Sequence, residues 1–522
     1  MSIDISEKAL QDLEFTTVIQ QVATFSISEL GKKQVLETLP FSNKKQLIRE
    51  LDFANEYLSS FESDNRIPNH GFDNIYEQIK RLTIEDSFIE TESFLKIAAI
   101  SESVKELKKY FKKFHTYYPN LSFLSEHVDF VQEIIDEIKK VISAYGEIVD
   151  NASPELRKIR RSIAGLQGKI GQSFSSALGK AKAAGYLDDI KESVVDNHRV
   201  LAVLAMHRKK ITGSLVGSSK SGNIVFIAPQ ATLAYQRELQ NLEYEEKQEV
   251  IRILKTLSYQ IRPYTPLLES YLVYLAHLDV IGSKAKYAYS INGLLPKIGE
   301  TKRVYFKNAY HPILLVKNKE ANLEVIPQSI ELNEQQQIIV ISGPNAGGKS
   351  ITLKTIGLLQ VMLQSGILIP VDERSETTIF DAVLTDIGDN QSIENQLSTY
   401  SYRLKNMRYF LRKCNERTLF LIDEFGTGSD PELGGALAEI FLEEFYHKKA
   451  FGIITTHYSN LKVLANELDN VTNANMQFNE QTLEPLYKLY VGQAGSSFTF
   501  EVAQKNGIPF SLINKAKKRV ET

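Results

Sequence analysis

Read for the spacing of its apolar residues, the chain opens as helices. Leu10, Leu13, Val18 and Val22 recur at helical spacing, as do Phe130, Ile134, Ile135, Ile138, Val141 and Ile142, the pattern of a helix that buries one face. Pro40 and Pro68 fall between such runs and mark turns. Residues 1–150 therefore read as an all-α core with no catalytic pattern of its own. Near Ser153 the pattern lengthens. Ser153-Pro154 predicts an N-cap and a proline in the first turn of a helix that extends to about Ala184. Short β-like runs follow at Val194-Val195, Arg199 to Met206 and Ile224 to Ile227, with turns expected at Gly213, Gly217 and Gly222. From Gln230 to about Tyr259 a long charged helix returns. Helix out, small β tip, helix back: that order describes an arm over 151–262, followed by return helices of the core over 263–288.

After about Tyr289 the pattern changes once more. Ile338-Ile339-Val340-Ile341 and Leu419-Phe420-Leu421-Ile422 are continuous apolar runs of β-type residues, as in a sheet covered on both faces. Apparent helices lie between them, so 289–522 reads as an α/β domain. The fold class is then multidomain: an all-α core with a long helical arm carrying a small β tip, followed by an α/β domain. No internal repeat or low-complexity tract interrupts the sequence.

Composition narrows the setting. The 522 residues are 43% hydrophobic and 24% charged, ordinary for a globular protein of several domains. The formal net charge of −3 argues against a wholly basic coat for nucleic acid but is silent on local patches. One cysteine, Cys414, allows no intramolecular disulfide, and no Cys/His cluster has zinc spacing. No signal-peptide pattern opens the chain, and no apolar stretch reaches the roughly 20 residues of a membrane span. A cytoplasmic protein is the expectation, with association with the nucleoid left open and no membrane partner.

The chemistry concentrates late in the chain. Gly343-Pro344-Asn345-Ala346-Gly347-Gly348-Lys349-Ser350 matches G-x-x-x-x-G-K-[ST] between a β-like run and a helical pattern opening at Ile351. Glycines let backbone N–H groups curl around phosphate oxygens, and the helix N-terminus adds positive potential. Lys349 would bridge the β- and γ-phosphates of ATP, and the Ser350 hydroxyl would ligate Mg2+. The bland alternative is a glycine turn that merely opens a helix. Further on, a buried-strand run ends in Asp423-Glu424. Asp423 would hold the metal and Glu424 would orient and deprotonate the attacking water; two solvated loop acids are the alternative. Phe451 to Thr456 is another buried-strand run, ending in His457, where ABC-type ATPases carry a histidine that senses the γ-phosphate. A purely structural histidine is the competing reading.

These strings, taken in order, resemble one family. Gly343 to Ser350, Asp389-Asn390-Gln391-Ser392-Ile393-Glu394 with Leu397-Ser398-Thr399-Tyr400-Ser401, Asp423-Glu424-Phe425-Gly426-Thr427-Gly428, and Thr455-Thr456-His457 resemble the ATPase motifs of the MutS family. Asp423 to Pro431, Ser219 to Pro229, Leu13-Glu14-Phe15 and Ser28-Glu29-Leu30-Gly31 resemble its second branch, linked to recombination control, more than the mismatch-repair branch. The transporter motif L-S-G-G-Q is absent. The resemblance implies a homodimer with composite sites, in which Ser398 and Thr399 reach the nucleotide across the interface. It also places His311-Pro312 and Val325-Ile326-Pro327 near the adenine. The chain opens with the helical core rather than a mismatch-reading domain, so no mismatch readout is expected. Members of the second branch usually continue into a coiled coil and an Smr nuclease domain. This chain stops at Lys517-Lys518-Arg519-Val520-Glu521-Thr522 within a helical pattern, so nuclease activity is not expected of these residues.

Charge marks the arm. From Glu155 to Ala184 there are seven Lys/Arg against one acid, and from Asn197 to Arg237 there is no acid at all. Arg208, Lys209, Lys210 and Lys220 are the candidate contacts to a DNA backbone; a solvated face is the alternative. The resemblance favours contact, because MutS relatives close a clamp around DNA with this region. The expected function is therefore a dimeric DNA clamp for branched or recombination-intermediate DNA, driven by ATP and suppressing recombination. Rival readings are a ribosome- or RNA-engaging ATPase acting on stalled ribosomes, a structural dimeric scaffold with slow turnover, and a mismatch-repair recognition protein.

Overall fold

The computed structural model describes residues 3–520 except 197, 344–346, 389–398, 428–430, 480–483, 496–499, 501–502 and 505–506. Eight helices come first: α1 (Glu7–Asp12), α2 (Phe15–Ala23), α3 (Glu29–Leu36), α4 (Lys44–Ser59), α5 (Tyr76–Leu82), α6 (Thr91–Lys113), α7 (Pro119–Glu126) and α8 (Glu133–Val141). Then α9 (Pro154–Ala183) leads into β1 (Leu187–Val195), β2 (His198–Leu204), β3 (Gly213–Ser218) and β4 (Ile224–Pro229), and α10 (Gln230–Ile261) follows. After α11 (Thr265–Ser290) come β5 (Lys297–Ile298), β6 (Val304–Ala309), α12 (Pro312–Glu320), β7 (Gln328–Leu332), β8 (Ile338–Ser342) and α13 (Lys349–Gln364). The remaining elements are β9 (Glu376–Thr377), β10 (Ala382–Asp386), α14 (Thr399–Lys413), β11 (Thr418–Ile422), α15 (Pro431–His447), β12 (Phe451–Thr455), α16 (Ser459–Glu467), β13 (Val471–Phe478), β14 (Pro485–Val491) and a last helix, Phe510–Val520.

These elements pack as two compact units. One gathers Met1–Gly71, Glu106–Val128 and Tyr274–Thr522; the other gathers Phe72–Lys105 and Asp129–Val273.

The first unit is built on a six-stranded sheet ordered β10-β11-β12-β8-β13-β14. Its first five strands run parallel, and β14 pairs antiparallel with β13. Successive side chains of a strand point to opposite faces, and both faces are covered here. Ile339, Ile341, Leu419, Leu421 and Ile453 face a core shared with α13 and the N-terminal helices. Ile338, Val340, Phe420, Ile422 and Ile454 face one shared with α14, α15 and α16. That double burial is why the strands read as unbroken apolar runs. A second sheet, β5-β9-β6-β7, belongs to the same unit.

The N-terminal helices lie directly on α13. Leu13 is fully buried there, and a Cβ on Gly357 would stand 2.3 Å from Leu421 Cδ1 and 2.7 Å from Leu13 Cδ2. Glu14 pairs with Lys354 of α13 at 3.1 Å. In the same unit Asp279 of α11 accepts from the Ile27 and Ser28 amides at 3.0 and 2.8 Å and from the Ser28 hydroxyl at 2.5 Å. A Cβ on Gly31 would sit 2.2 Å from that carboxylate, which explains why a glycine follows Ser28-Glu29-Leu30.

The second unit contains an antiparallel helix pair and a four-stranded antiparallel sheet, ordered β1-β2-β4-β3. Ser153 caps α9 by accepting from Leu156 N at 3.0 Å, with Pro154 in the first turn. The same hydroxyl donates to Glu249 of α10 at 2.5 Å, and Arg160 pairs with Glu246 at 2.7 Å. Phe174 and Ala181 of α9 pack under Leu201, Val203, Val225 and Ile227 of the sheet. Two local expectations are corrected here. Gly213 to Gly217 is strand β3 rather than a pair of turns, because pairing with β4 overrides the weak strand preference of glycine. β1 begins at Leu187, seven residues before the apolar pair Val194-Val195, because it is an edge strand whose acidic residues stay wet.

Candidate functional site

Five parallel strands put their C-terminal ends on one edge of the sheet, the edge at which α/β folds bind ligands. There β8 ends at Ser342 and α13 begins at Lys349, with β12 lying between β8 and β11. Gly343 and Gly348 have φ of 125° and 92°, a region open to glycine, and a Cβ on Gly348 would meet Tyr487 Cδ1 at 3.0 Å. Pro344, Asn345 and Ala346 lie outside the described residues. Gly347 is buried, Ser350 is half-buried, and Ile351 is exposed.

Lys349 is 2% exposed and donates from Nζ to the Gly343 carbonyl at 2.6 Å. Burial pushes its pKa down to about 8, against the pull of Asp423 and Glu424, while Lys462 adds repulsion. Asp423, just past β11, is 8% exposed. Thr455, the last residue of β12, joins the two acids: its hydroxyl donates to Asp423 Oδ1 at 2.5 Å and accepts from the Glu424 amide at 2.8 Å. His457 follows on the same edge. Burial lowers its pKa, and the Lys349 charge pushes the same way against Glu424. The structure thus brings Lys349, Asp423, Glu424 and His457 within mutual electrostatic reach.

Other candidates fall differently. Ser398 and the segment from Asp389 through Leu397 lie outside the described residues; Thr399 opens α14. His311 precedes α12, is 7% exposed, and holds a buried Nδ1 with no hydrogen-bond partner among the described residues. Burial pushes its pKa down to about 4. Val325, Ile326 and Pro327 are half-buried. Arg208, Lys209 and Lys210 form the end of a single-turn helix, Ala205–Lys210, in the second unit, and all are exposed, as is Lys220 between β3 and β4.

Four residues at the site escaped the sequence reading. Thr455 stood within a quoted string without a role. Asp386 ends β10 much as Asp423 follows β11; its pKa is raised by burial although Asn406 donates to it at 2.8 Å. Lys462 of α16 donates to the Gly495 carbonyl at 3.1 Å, and Arg403 of α14 reaches the Glu424 turn. The last two are ordinary charged residues on amphipathic helices and carry no local signal.

A helix-rich, multidomain chain with mixed sheets, ending in this constellation, has the architecture of the MutS class. Residues 339–522 match the family model for MutS domain V. Over 99% of its length the chain is 34% identical to the putative endonuclease MutS2 of Bacillus subtilis (strain 168), covering 65% of that protein. It is 35% identical to the endonuclease MutS2 of Finegoldia magna, over 98% of this chain and 65% of that one. With the endonuclease MutS2 of Aquifex aeolicus the identity is 33%, over 98% and 66% respectively. The chain is thus similar to the MutS2 branch of the MutS family over nearly its whole length, and it spans 65% to 66% of the length of these relatives.

Proposed function

We propose that this chain is a MutS-type ATPase that binds DNA and works as a dimer, with ATP binding and hydrolysis driving a change in how it grips the duplex. The observation that carries the reading is the meeting of Lys349, Asp423, Glu424 and His457 on one edge of the parallel sheet. The residues fit ATP and magnesium. A desolvated ammonium at the N-terminus of a 16-residue helix, beside a left-handed Gly348, forms a cradle for phosphate. Magnesium supplies charge neutralisation at the phosphates, and Ser350 with Asp423 would hold it. Glu424 would take the proton of the attacking water while Lys349 and His457 hold the γ-phosphate. Thr455 fixes the two acids relative to each other.

Branched or recombination-intermediate DNA as ligand, and suppression of recombination as outcome, follow from likeness to this branch. ATP hydrolysis is the chemistry that these site residues support. Steady-state hydrolysis should rise with a four-way junction more than with linear duplex, mismatched duplex or ribosomes. Glu424→Gln should bind ATP normally and hydrolyse it about 10²- to 10⁴-fold more slowly. Wild-type turnover in that variant removes Glu424 as the base, and stimulation by ribosomes alone replaces DNA as the partner.

A further inference from the structure

The backbone of Glu424 is held in an unfavourable conformation. Its φ is 49°, in the left-handed region that non-glycine residues avoid. Gly426, two residues on, has φ 92°, so the chain reverses tightly just beyond β11. Inside that reversal the Glu424 carbonyl accepts from the Thr427 amide at 3.2 Å and from the Thr427 hydroxyl at 2.8 Å. These contacts close the turn but do not tie it to the rest of the unit.

Arg403 supplies that tie. From α14, its Nη1 donates to the Glu424 carbonyl at 2.8 Å and to Thr427 Oγ1 at 2.8 Å, and lies 3.5 Å from the Asp423 carbonyl. The side chain is half-buried and lines a small cavity with Met407, Phe425 and Leu437. One guanidinium nitrogen therefore gathers the carbonyl ends of the turn, as a cationic donor can and a neutral one does only weakly. On the opposite side the turn is held by Thr455, through the Glu424 amide and the Asp423 carboxylate. The Asp386 carboxylate already receives Asn406 and also feels the Arg403 and Lys8 charges.

We propose that Arg403 is a positioning residue for hydrolysis: it holds the Glu424 turn in its left-handed conformation and so aims the Glu424 carboxylate without touching nucleotide. The kinetic consequence rests on Glu424 being the base; the structural consequence does not. The test compares Arg403→Ala and Arg403→Lys with wild type in the full chain, by ATP turnover, equilibrium ATP binding and hydrogen exchange of the peptide spanning 423–427. Misaiming a catalytic group by about 1 Å costs up to roughly a hundredfold in rate. Arg403→Ala should therefore lower kcat about ten- to hundredfold, leave ATP affinity within about threefold, and speed exchange in the turn while strands β8 and β11 stay protected. Arg403→Lys should fall between, and guanidinium at low millimolar concentration should restore part of the alanine variant's rate. Unchanged kcat and unchanged exchange overturn the proposal. So does a loss of kcat matched by equal losses of ATP affinity and strand protection, the mark of a general packing role. Faster exchange in the turn of a protein that hydrolyses no ATP in any form keeps the positioning role and instead removes the reading of Glu424 as a base.

Discussion

Desolvating the Lys349 ammonium weakens its hold on its proton, and this gives nucleotide binding a pH window. Burial pushes its pKa down to about 8. A bound polyphosphate favours the charged form and raises it again. Binding above pH 8 must then take up a proton, so affinity is fully present below about 8 and lost as pH rises beyond it, by up to about tenfold per unit. Lys462, whose pKa burial also lowers, adds in the same direction. Fluorescent-nucleotide titrations between pH 7 and 9.5 should show this slope, and a flat profile contradicts it. Lys349→Ala should remove the slope along with about 2–3 kcal/mol of a charge-assisted hydrogen bond, roughly 30- to 150-fold in affinity. Lys349, Asp423 and Glu424 could be singled out as candidates from sequence because phosphate binding would constrain a contiguous string and a strand run ends in the acids, and the structure brings the three together. Arg403 and Lys462 could not, since their partners are carbonyls brought near by the fold: Glu424 lies 21 positions from Arg403 and Gly495 33 from Lys462.

At the scale of elements, the instructive piece is α13, whose 16 residues carry 13 buried ones. A helix this enclosed cannot show the amphipathic period from which helices are usually read, and its helical nature was legible mainly through the glycine-lysine string before it. Gly357 lies near its middle, where glycine costs roughly 1 kcal/mol against alanine in helix propensity. The compensation is contact, since any side chain there would collide with Leu421 of β11 and Leu13. Gly357→Val should therefore destabilise the unit by about 1–3 kcal/mol or more, visible as an earlier chemical-denaturation midpoint. A midpoint equal to wild type would mean α13 can lift from the sheet at no cost. Leu13 brings a lesson about the first helices. Sequence alone gives them no function, because a packing face carries no chemical motif. The structure sets them against α13 and beside β10, where Asp12 accepts from the Thr385 hydroxyl at 2.7 Å. They press on α13 and on the strand beside the one that Asp423 follows. The β strands told a similar story: the buried runs of β8, β11 and β12 were plain, while β3, with two glycines in six residues, was hidden because its pairing and not its composition makes it a strand.

Across the molecule, the two compact units differ in chemistry more than the formal net charge of −3 suggests. In the second unit the tip sheet is polarised. Its β1 edge carries Asp188 and Asp189, which repel a phosphate backbone, while Glu192 is paired with Arg199 at 2.7 Å. The other edge, β3, follows directly on Arg208, Lys209 and Lys210, and Lys220 lies in the turn beyond it. A cleft at the base of the sheet is lined by Lys180, Lys210, Ser173, Ser176 and Thr212, cations and hydroxyls that suit phosphate oxygens. A duplex would therefore meet the β3 side and not the β1 side. Each phosphate neutralised by protein releases condensed counterions and adds about 0.9 to the slope of log affinity against log salt. Replacing Arg208, Lys209 and Lys210 together by glutamine should flatten that slope by about two to three and weaken binding to all sequences alike, since none of the three is expected to read a base. Replacing Asp188 and Asp189 by asparagine should leave the slope nearly unchanged and strengthen binding slightly by removing repulsion. If the glutamine variant keeps the wild-type slope, the basic turn does not touch the backbone, and the grip on DNA has to be sought along α9, whose Arg157, Lys158 and Arg161 are exposed as well.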